Sequence, residues 1–126
     1  MLGEPALAPL FAPGSLAEVT LAGEVAGVPV AGQVDRLLVG PDRVLVVDYK
    51  TDREPPRRSA QVPLAYRRQM AAYRALLRQI YPDREVACAL LWTREARLMP
   101  LDPALLEASA PGAGSEAAWQ PLGRGA

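Results

Sequence analysis

Apolar and polar positions divide the chain into a strand-forming first half and a helical segment that follows it. Residues 19–25 alternate at the two-residue spacing of a half-buried strand, and residues 30–39 and 43–50 are apolar runs rich in β-branched residues. Short segments with glycine and proline separate these runs, as expected for tight turns. The pattern therefore predicts a three-stranded antiparallel meander.

The period changes to that of a helix between Pro63 and Tyr81. Large apolar residues then recur every three or four positions and form one stripe, namely Tyr66, Met70, Tyr73, Leu77 and Ile80. Pro63 suits the first turn of this helix, and Pro82 ends it. We expect the helix to cover one face of the meander.

Three shorter elements are predicted after the helix. Residues 85–93 are an apolar run typical of a buried strand, and residues 96–101 indicate a short edge strand. A short helix follows to Ala108, with Asp102 as its N-cap and Pro103 at its first position. A helix that covers a meander and leads into a buried strand predicts a mixed sheet of the α/β (α+β) class.

Length and composition predict a single domain, because 126 residues can enclose one hydrophobic core. We assign residues 18–109 to this core and residues 1–17 to a linker or the truncated end of a preceding helical segment. Residues 110–126 are rich in Gly, Ala, Pro and Ser and predict a flexible tail. No apolar run is long enough to cross a bilayer and no secretory signal opens the chain, so we expect a cytoplasmic location and no membrane contact.

The turn between the second and third predicted strands sets a trial register. With Pro41 and Asp42 as the two loop residues, Gly40 pairs with Arg43, and counting back along both strands places Asp35 opposite Asp48. Gln33 then lies opposite Lys50. Because side chains alternate along a strand, Asp48 and Lys50 share one face.

Two opposed carboxylates repel each other unless a cation lies between them. Mg²⁺ prefers one or two carboxylates together with water and phosphate oxygens, and a nearby lysine can stabilise charge on a phosphate. Asp35, Asp48 and Lys50 therefore suit metal-assisted hydrolysis of a phosphodiester. A pair of solvated surface charges is the alternative, and a register slip of one residue would move Asp48 to the other face.

Composition narrows the chemistry further. The absence of histidine excludes Ser-His-Asp and Cys-His catalytic units and histidine-based zinc sites. Cys88 is the only cysteine, and its apolar neighbours predict that it is a buried small hydrophobic residue. The formal net charge is zero, yet residues 36–97 hold 13 of the 14 basic residues and only 7 of the 14 acidic ones. Such a basic region suits a polyanionic substrate.

Gln69 and Tyr73 add a polar pair to the predicted helix. They stand four residues apart and so share one helical face, beside the apolar stripe. If this face meets the Asp48 end of the sheet, the amide and the phenol can hold DNA phosphates or order Lys50. Otherwise they are an ordinary helix edge with a half-buried tyrosine.

The chain resembles the PD-(D/E)XK nuclease domains of the RecB type in three ordered motifs, which are Gly32-x-x-Asp35, Asp48-Tyr49-Lys50-Thr51 and Tyr66-x-x-Gln69-Met70-x-x-Tyr73. The resemblance covers roughly residues 18–101 and is greatest for the C-terminal nuclease domain of the AddA subunit of bacterial AddAB helicase-nucleases. It implies a restriction-endonuclease-like core.

The resemblance also implies a metal site. Asp35 and Asp48 would bind Mg²⁺, for which Mn²⁺ can substitute, and the backbone carbonyl of Tyr49 would complete the protein ligands. Lys50 would stabilise charge or orient the attacking water. Glu18 lies near the position where related sequences carry an acidic residue ahead of the first strand, and is a further candidate ligand.

The remaining candidates concern the substrate. Gln69 and Tyr73 match the glutamine and tyrosine of the family's helix motif, which support the active site or contact DNA. Basic side chains near the predicted site are expected to bind DNA, and these are Arg57, Arg58, Arg67, Arg68 and Arg74, with Arg78 further along the helix.

The implied function is that of a Mg²⁺-dependent deoxyribonuclease, the exonuclease part of an ATP-dependent helicase-nuclease in recombinational double-strand break repair. DNA, expected to be single-stranded, would be the substrate, and the location would be the cytoplasm of a bacterium, at the nucleoid. The helicase portion of the same parent protein and a second helicase-nuclease subunit would be its partners. RecB-type domains usually have a preceding helical segment that can supply a metal ligand, so we interpret the chain as an excised or truncated domain. The iron–sulfur variant of the family is excluded because Cys88 is the only cysteine.

Two other functions fit the same sequence. A catalytically inactive module with the nuclease fold would bind DNA or a partner subunit without cleaving. A small structural domain would carry the same charges incidentally.

Overall fold

A mixed sheet of five strands forms the centre of the protein in the computed structural model, which describes residues 15–111. The strands are β1 (Ser15–Val25), β2 (Val28–Val39), β3 (Arg43–Lys50), β4 (Glu85–Trp92) and β5 (Arg97–Pro100). The helices are α1 (Leu64–Ile80) and α2 (Pro103–Ser109), and a 3-10 turn at Ser59–Gln61 precedes α1. The strands lie in sequence order, with β3 and β4 parallel and the other neighbours antiparallel. The predicted α+β class with a meander, a covering helix and a following buried strand is confirmed.

The first strand begins earlier than expected. Residues 15–17 pair with Arg36, Leu37 and Leu38 of β2, so they belong to the sheet and the assignment of residues 1–17 to a linker was wrong for these three. The alternating pattern of β1 begins only at Val19, but β2 is long enough to offer backbone hydrogen-bond partners to residues 15–17 as well. The predictions for residues 1–14 and 112–126, including a flexible tail, lie outside the described residues.

The turn between β2 and β3 has the predicted geometry. The backbone N–H of Gly40 donates to the carbonyl of Arg43 at 2.8 Å. In the strands themselves, Val39 is opposite Val44 and the pairing runs on to Arg36 opposite Val47. The register derived from the sequence is therefore correct over these four pairs.

The main core lies between the sheet and α1. Met70, Tyr73, Leu76 and Leu77 are buried against strand residues, with α1 beginning one residue after Pro63. Ile80 was predicted to join the buried stripe, but it is 52% exposed. It is the last residue of the helix, and the burial of the stripe stops one turn earlier, at Leu77.

The opposite face of the sheet is also apolar at its centre. Val47, Ala89 and Leu91 form a second, smaller buried cluster. The central strands β3 and β4 are therefore apolar on both faces, as a strand between two covered faces should be. Cys88 is buried on the main-core side, and burial raises the pKa of its thiol to about 12, which confirms it as an inert core residue.

The two helices close the main-core side. Asp102 caps α2 by accepting a hydrogen bond from the backbone N–H of Ala104 at 2.9 Å, and Pro103 occupies the first position, as predicted. Glu107 of α2 pairs with Arg74 and Arg78 of α1, which ties the helices together. Within residues 15–111, neither helix is both long and apolar enough to cross a lipid bilayer.

Candidate active site

The C-terminal end of β3 carries two buried charges on the face covered by α1. Asp48 is 5% exposed and Lys50 is 7% exposed, and they share this face with the core residues Val44 and Val46. Burying a charge is costly unless a partner compensates it, so a pair at this depth requires specific contacts. The predicted alternation that puts Asp48 and Lys50 on one side is confirmed.

Lys50 is held by two hydrogen bonds. Its Nζ donates to Oδ2 of Asp48 at 2.8 Å and to Oε1 of Gln69 at 2.9 Å. Gln69 is itself only 4% exposed and comes from the second turn of α1. Strand β3 and helix α1 thus fix the ammonium group from two directions. Of the two alternatives left open by the sequence, the helix face that carries Gln69 meets the Asp48 end of the sheet.

Asp35 reaches the same place by a different route from the one predicted. The pairing of β2 with β3 ends at Arg36 opposite Val47, so the expected pairs of Asp35 with Asp48 and of Gln33 with Lys50 are not part of the ladder. Instead, the Asp35 carboxylate accepts a hydrogen bond from the backbone N–H of Tyr49 at 2.7 Å.

A local break in the neighbouring strand explains this difference. The pairing of β1 with β2 skips Glu18 and Asp35, and Glu18 adopts a positive φ of 51°. Val34 and Leu37 are both buried in the main core although they are an odd number of positions apart, three, so the alternation of β2 shifts between them. The side chain of Asp35 then satisfies a backbone N–H that has no ladder partner.

The Asp35 and Asp48 carboxyls nevertheless lie side by side. Burial is the main cause that raises the pKa of Asp48 to about 6, a hydrogen bond with Asp35 raises it further, and Lys50 opposes both effects. Asp48 is buried and Asp35 is half-buried, and two neighbouring acidic groups of this kind favour an additional positive charge beside them. Their hard oxygen atoms are the ligands that Mg²⁺ and Mn²⁺ prefer, so the donor set fits such an ion.

Two other candidate ligands differ in position. The carbonyl of Tyr49 points to the β2 side, since the N–H and C=O of one strand residue face the same neighbour and its N–H meets Asp35. Glu18 is exposed, and residues 15–111 contain no cluster of three or more acidic, histidine or cysteine side chains that could hold a metal. The structure therefore brings Asp35, Asp48 and the Tyr49 backbone together and leaves Glu18 apart from them.

Tyr73 links Gln69 to strand β2. Its hydroxyl lies close to the Gln69 side chain and to the backbone of Gln33, and burial raises its pKa. Gly32 provides the space for this hydroxyl, because a Cβ at Gly32 would overlap it. The glycine and the tyrosine of the two outer motifs are thus in direct contact, which gives Gly32 a physical role.

The candidate DNA-binding arginines fall into two groups. Arg57 and Arg58 are exposed in the segment that follows Lys50, and Arg67 and Arg68 are half-buried in the first turns of α1. Within the second pair, Arg67 is oriented by a hydrogen bond from Nε to the Val62 carbonyl at 3.0 Å. These four residues flank the site along the chain.

Arg74 does not belong to that group. Its Nη1 contacts Glu107 at 3.0 Å and its Nε donates to the carbonyl of Val86. Val86 lies opposite Val44, whereas Asp48 lies opposite Leu90, four residues further along β4. The prediction that Arg74 binds DNA beside the site does not agree with this position, because sequence spacing did not reveal its acidic partner on α2.

Tyr66 and Asp52 contact the site, whereas the sequence placed Tyr66 only in the apolar stripe and the helix motif and gave Asp52 no role. Lys50 Nζ lies 4.2 Å from the centroid of the Tyr66 ring, and the Tyr66 hydroxyl donates to Oδ1 of Asp52 at 2.9 Å. The available signal was the spacing of Tyr66 from Gln69, since residues three apart on a helix share a face.

Comparison with known proteins places this arrangement in a family. The chain matches the PD-(D/E)XK nuclease superfamily over residues 6–122. The crystal structure of SSO0001 is similar at a TM-score of 0.47 and 16% sequence identity, covering 80% of this chain and 48% of that protein, so the chain spans about half of its length. No curated protein matches significantly.

Proposed function

Because the chain belongs to the PD-(D/E)XK nuclease superfamily, we propose that it hydrolyses phosphodiester bonds of DNA at the site formed by Asp35, Asp48 and Lys50. The observation that carries this proposal is the buried contact of Lys50 with Asp48 at 2.8 Å, with the Asp35 carboxyl beside it. A structural ion pair alone would not require a second carboxylate in the same poorly solvated place.

A divalent cation, Mg²⁺ with Mn²⁺ as a substitute, fits the site because hard oxygen ligands converge there. Asp35 and Asp48 would hold it, with the carbonyl of Tyr49 as a third donor. When bound, such an ion lowers the pKa of a water molecule and neutralises charge on the phosphate.

The remaining residues have roles that follow from their contacts. The Lys50 ammonium can stabilise negative charge that develops on the phosphate oxygens, and Gln69 keeps the ammonium in place from the helix. Tyr73 orients Gln69 from the other side. A fixed donor adds more to the rate than a mobile one, because it does not reorganise during the reaction.

DNA is the proposed substrate, and single-stranded DNA the preferred form. Four arginines near the site, Arg57, Arg58, Arg67 and Arg68, supply positive charge for the phosphate backbone. Contacts of guanidinium groups with phosphates do not read sequence, so the proposed interface is not base-specific.

The biological setting that we propose rests on the sequence motifs. Their resemblance to the AddA nuclease domain supports an exonuclease role within an ATP-dependent helicase-nuclease that processes double-strand breaks in the bacterial cytoplasm. The helicase portion of the parent protein and a second helicase-nuclease subunit would then be its partners.

The proposal is tested by cleavage of labelled single-stranded DNA in Mg²⁺ or Mn²⁺. We expect the wild-type chain to cleave and Asp48→Ala and Lys50→Ala each to lose at least about a hundredfold in rate. Asp83→Ala, an exposed acid in the turn after α1, is the matched control and should cleave normally. Equal cleavage by the wild type and both site variants would point to a contaminant or another site.

A non-catalytic DNA-binding module is the second candidate. It is favoured by one observation, that residues 15–111 offer no cluster of three metal-ligating side chains while Asp48 already contacts Lys50. This alternative predicts salt-sensitive DNA binding through the four arginines near the site and no cleavage in any divalent metal.

A further inference from the structure

Lys50 has a third contact that the proposed function does not use. An ammonium group carries three N–H donors, and Asp48 and Gln69 accept two of them. The aromatic face of Tyr66 lies beside the same nitrogen, 4.2 Å from Nζ to the ring centroid. Because the negative face of an aromatic ring attracts a cation, Tyr66 restrains the charge from a third direction.

The Tyr66 ring is itself held in place. Its hydroxyl donates to Oδ1 of Asp52 at 2.9 Å. Its ring centroid is 6.3 Å from that of Trp92, at an angle of 45°, and Trp92 is completely buried. Trp92 is opposite Lys50 in the β3–β4 ladder, so the sheet supports both the ammonium and the ring above it.

The surrounding charges keep Tyr66 a neutral donor. Burial and the hydrogen bond to Asp52 raise the pKa of its hydroxyl, and the charge of Asp48 acts in the same direction. Attraction of a cation to an aromatic face is stronger where water is excluded, and Lys50 is only 7% exposed. The ring therefore contributes to the position of Lys50 more than a surface tyrosine would.

We propose that Tyr66 is a positioning residue for Lys50, with its ring face fixing the ammonium and Trp92 supporting the ring. The assignment concerns the site of the proposed function and rests on it for its catalytic consequence. One face of the Tyr66 ring is directed at Lys50, so a DNA base could stack only on the opposite face, and the kinetic test below separates the two roles.

Cleavage kinetics of two Tyr66 variants separate the contribution of the ring from that of the hydroxyl. Tyr66→Phe retains the ring, and we expect kcat within about threefold of the wild type, whereas Tyr66→Leu should lower kcat roughly tenfold or more with KM for single-stranded DNA unchanged. In a Lys50→Ala background, Tyr66→Leu should have no further effect. A rise in KM without a change in kcat, or an additive effect in that background, would overturn the proposal in favour of DNA stacking.

A proton NMR measurement without DNA or metal tests whether Lys50 lies over the Tyr66 ring, independently of activity. In proton NMR spectra of the chain, the ring current of Tyr66 should shift the ε-methylene protons of Lys50 upfield, in the wild type and in Tyr66→Phe alike. The shift should disappear in Tyr66→Leu. Ordinary lysine shifts in the wild type would overturn the proposal. An inactive wild type that retains the shift would remove the proposed function and leave the placement of Lys50 standing.

A matched control is available at the other end of α1. Tyr81 also faces a cation, with the guanidinium of Arg84 5.0 Å from its ring centroid. Tyr81→Leu removes an equivalent contact away from the site, so kcat and the Lys50 shifts should stay at their wild-type values. A fall of kcat in this control equal to that of Tyr66→Leu would show that the effect is not specific to Lys50.

Discussion

At the level of single residues, the site contains a series of side-chain contacts that begins on β2 and ends on β3. Gly32 makes room for Tyr73, Tyr73 lies beside Gln69, and Gln69 accepts a hydrogen bond from Lys50. Each residue in this series determines the position of the next, so a change at the far end should reach Lys50 without touching it.

Gly32→Ala tests this series. The added methyl group would overlap the Tyr73 hydroxyl, and overpacking of this kind costs about 1–3 kcal/mol of unfolding free energy. We also expect cleavage to fall by about tenfold or more because Gln69 loses its support. Chemical denaturation and the cleavage rate measure the two effects.

The exposed neighbour in the same strand gives the control for this prediction. Ala31→Thr should leave both stability and cleavage unchanged. Adding Tyr73→Phe to Gly32→Ala removes the overlapping oxygen and should recover part of the lost stability. Wild-type stability and rate in Gly32→Ala alone would contradict the proposed series of contacts.

The raised pKa of Asp48 should make the stability of the protein depend on pH. Its pKa is about 6 in the folded protein against an ordinary 3.8, so folding favours the protonated form. This contribution is complete below about pH 4 and is lost as the pH rises through 6. In metal-free protein, we therefore expect the unfolding free energy to fall more steeply between these values in the wild type than in Asp48→Asn. Denaturation curves at several pH values would contradict this if the two slopes were equal.

At the level of elements, the strands and helices follow their local patterns. The hairpin register was correct from Val39 to Arg36 because the Gly-Pro-Asp turn and the apolar alternation agree on it. The predicted register is wrong at Asp35. The β1–β2 pairing skips Asp35 together with Glu18, and Glu18 has a positive φ that no hydrophobic pattern indicates. The sequence therefore predicts which side chains meet at the site, but not the hydrogen bond to the Tyr49 backbone by which Asp35 reaches it.

Helix α2 provides a prediction that separates stability from function. Asp102→Ala removes the cap of α2 and should lower the unfolding free energy by about 0.5–1 kcal/mol, whereas Asp102→Asn keeps an acceptor and should be nearly neutral. Cleavage at low temperature should be unaffected in both, because α2 packs against α1, where Arg74 joins Glu107 to Val86 at the start of β4, away from Asp48. A large loss of cleavage in Asp102→Ala would mean that α2 shapes the site.

Across the whole molecule, the fold neutralises part of the basic region found in the sequence and leaves the rest uncompensated by the same acid, Glu107. Arg74 and Arg78 are compensated by Glu107, and the Glu107 carboxyl has a lowered pKa because of these two arginines. Arg57 and Arg58, which follow Lys50 along the chain, are instead exposed. Charge counting along the sequence could not distinguish the two groups, since the acidic partner comes from a later helix.

This distinction predicts different effects on DNA binding. Replacing Arg57 and Arg58 with Ala should weaken single-stranded DNA binding and reduce the slope of log affinity against log salt by roughly 0.7 for each phosphate that is no longer neutralised. Replacing Arg74 and Arg78 should leave that slope unchanged. Fluorescence anisotropy over a range of salt concentrations measures both, and a larger reduction of the slope in the second pair would place the DNA on the α2 side.

The proposed nuclease site depends above all on Asp35 and Asp48 holding one divalent cation beside Lys50. Isothermal titration of Mn²⁺ into the wild-type chain, Asp35→Asn, Asp48→Asn and the exposed control Asp42→Asn measures this binding without any DNA. We predict binding in the wild type and the control, and its loss in each of the two site variants. Undiminished Mn²⁺ binding in Asp35→Asn and Asp48→Asn would show that these carboxylates do not form the metal site.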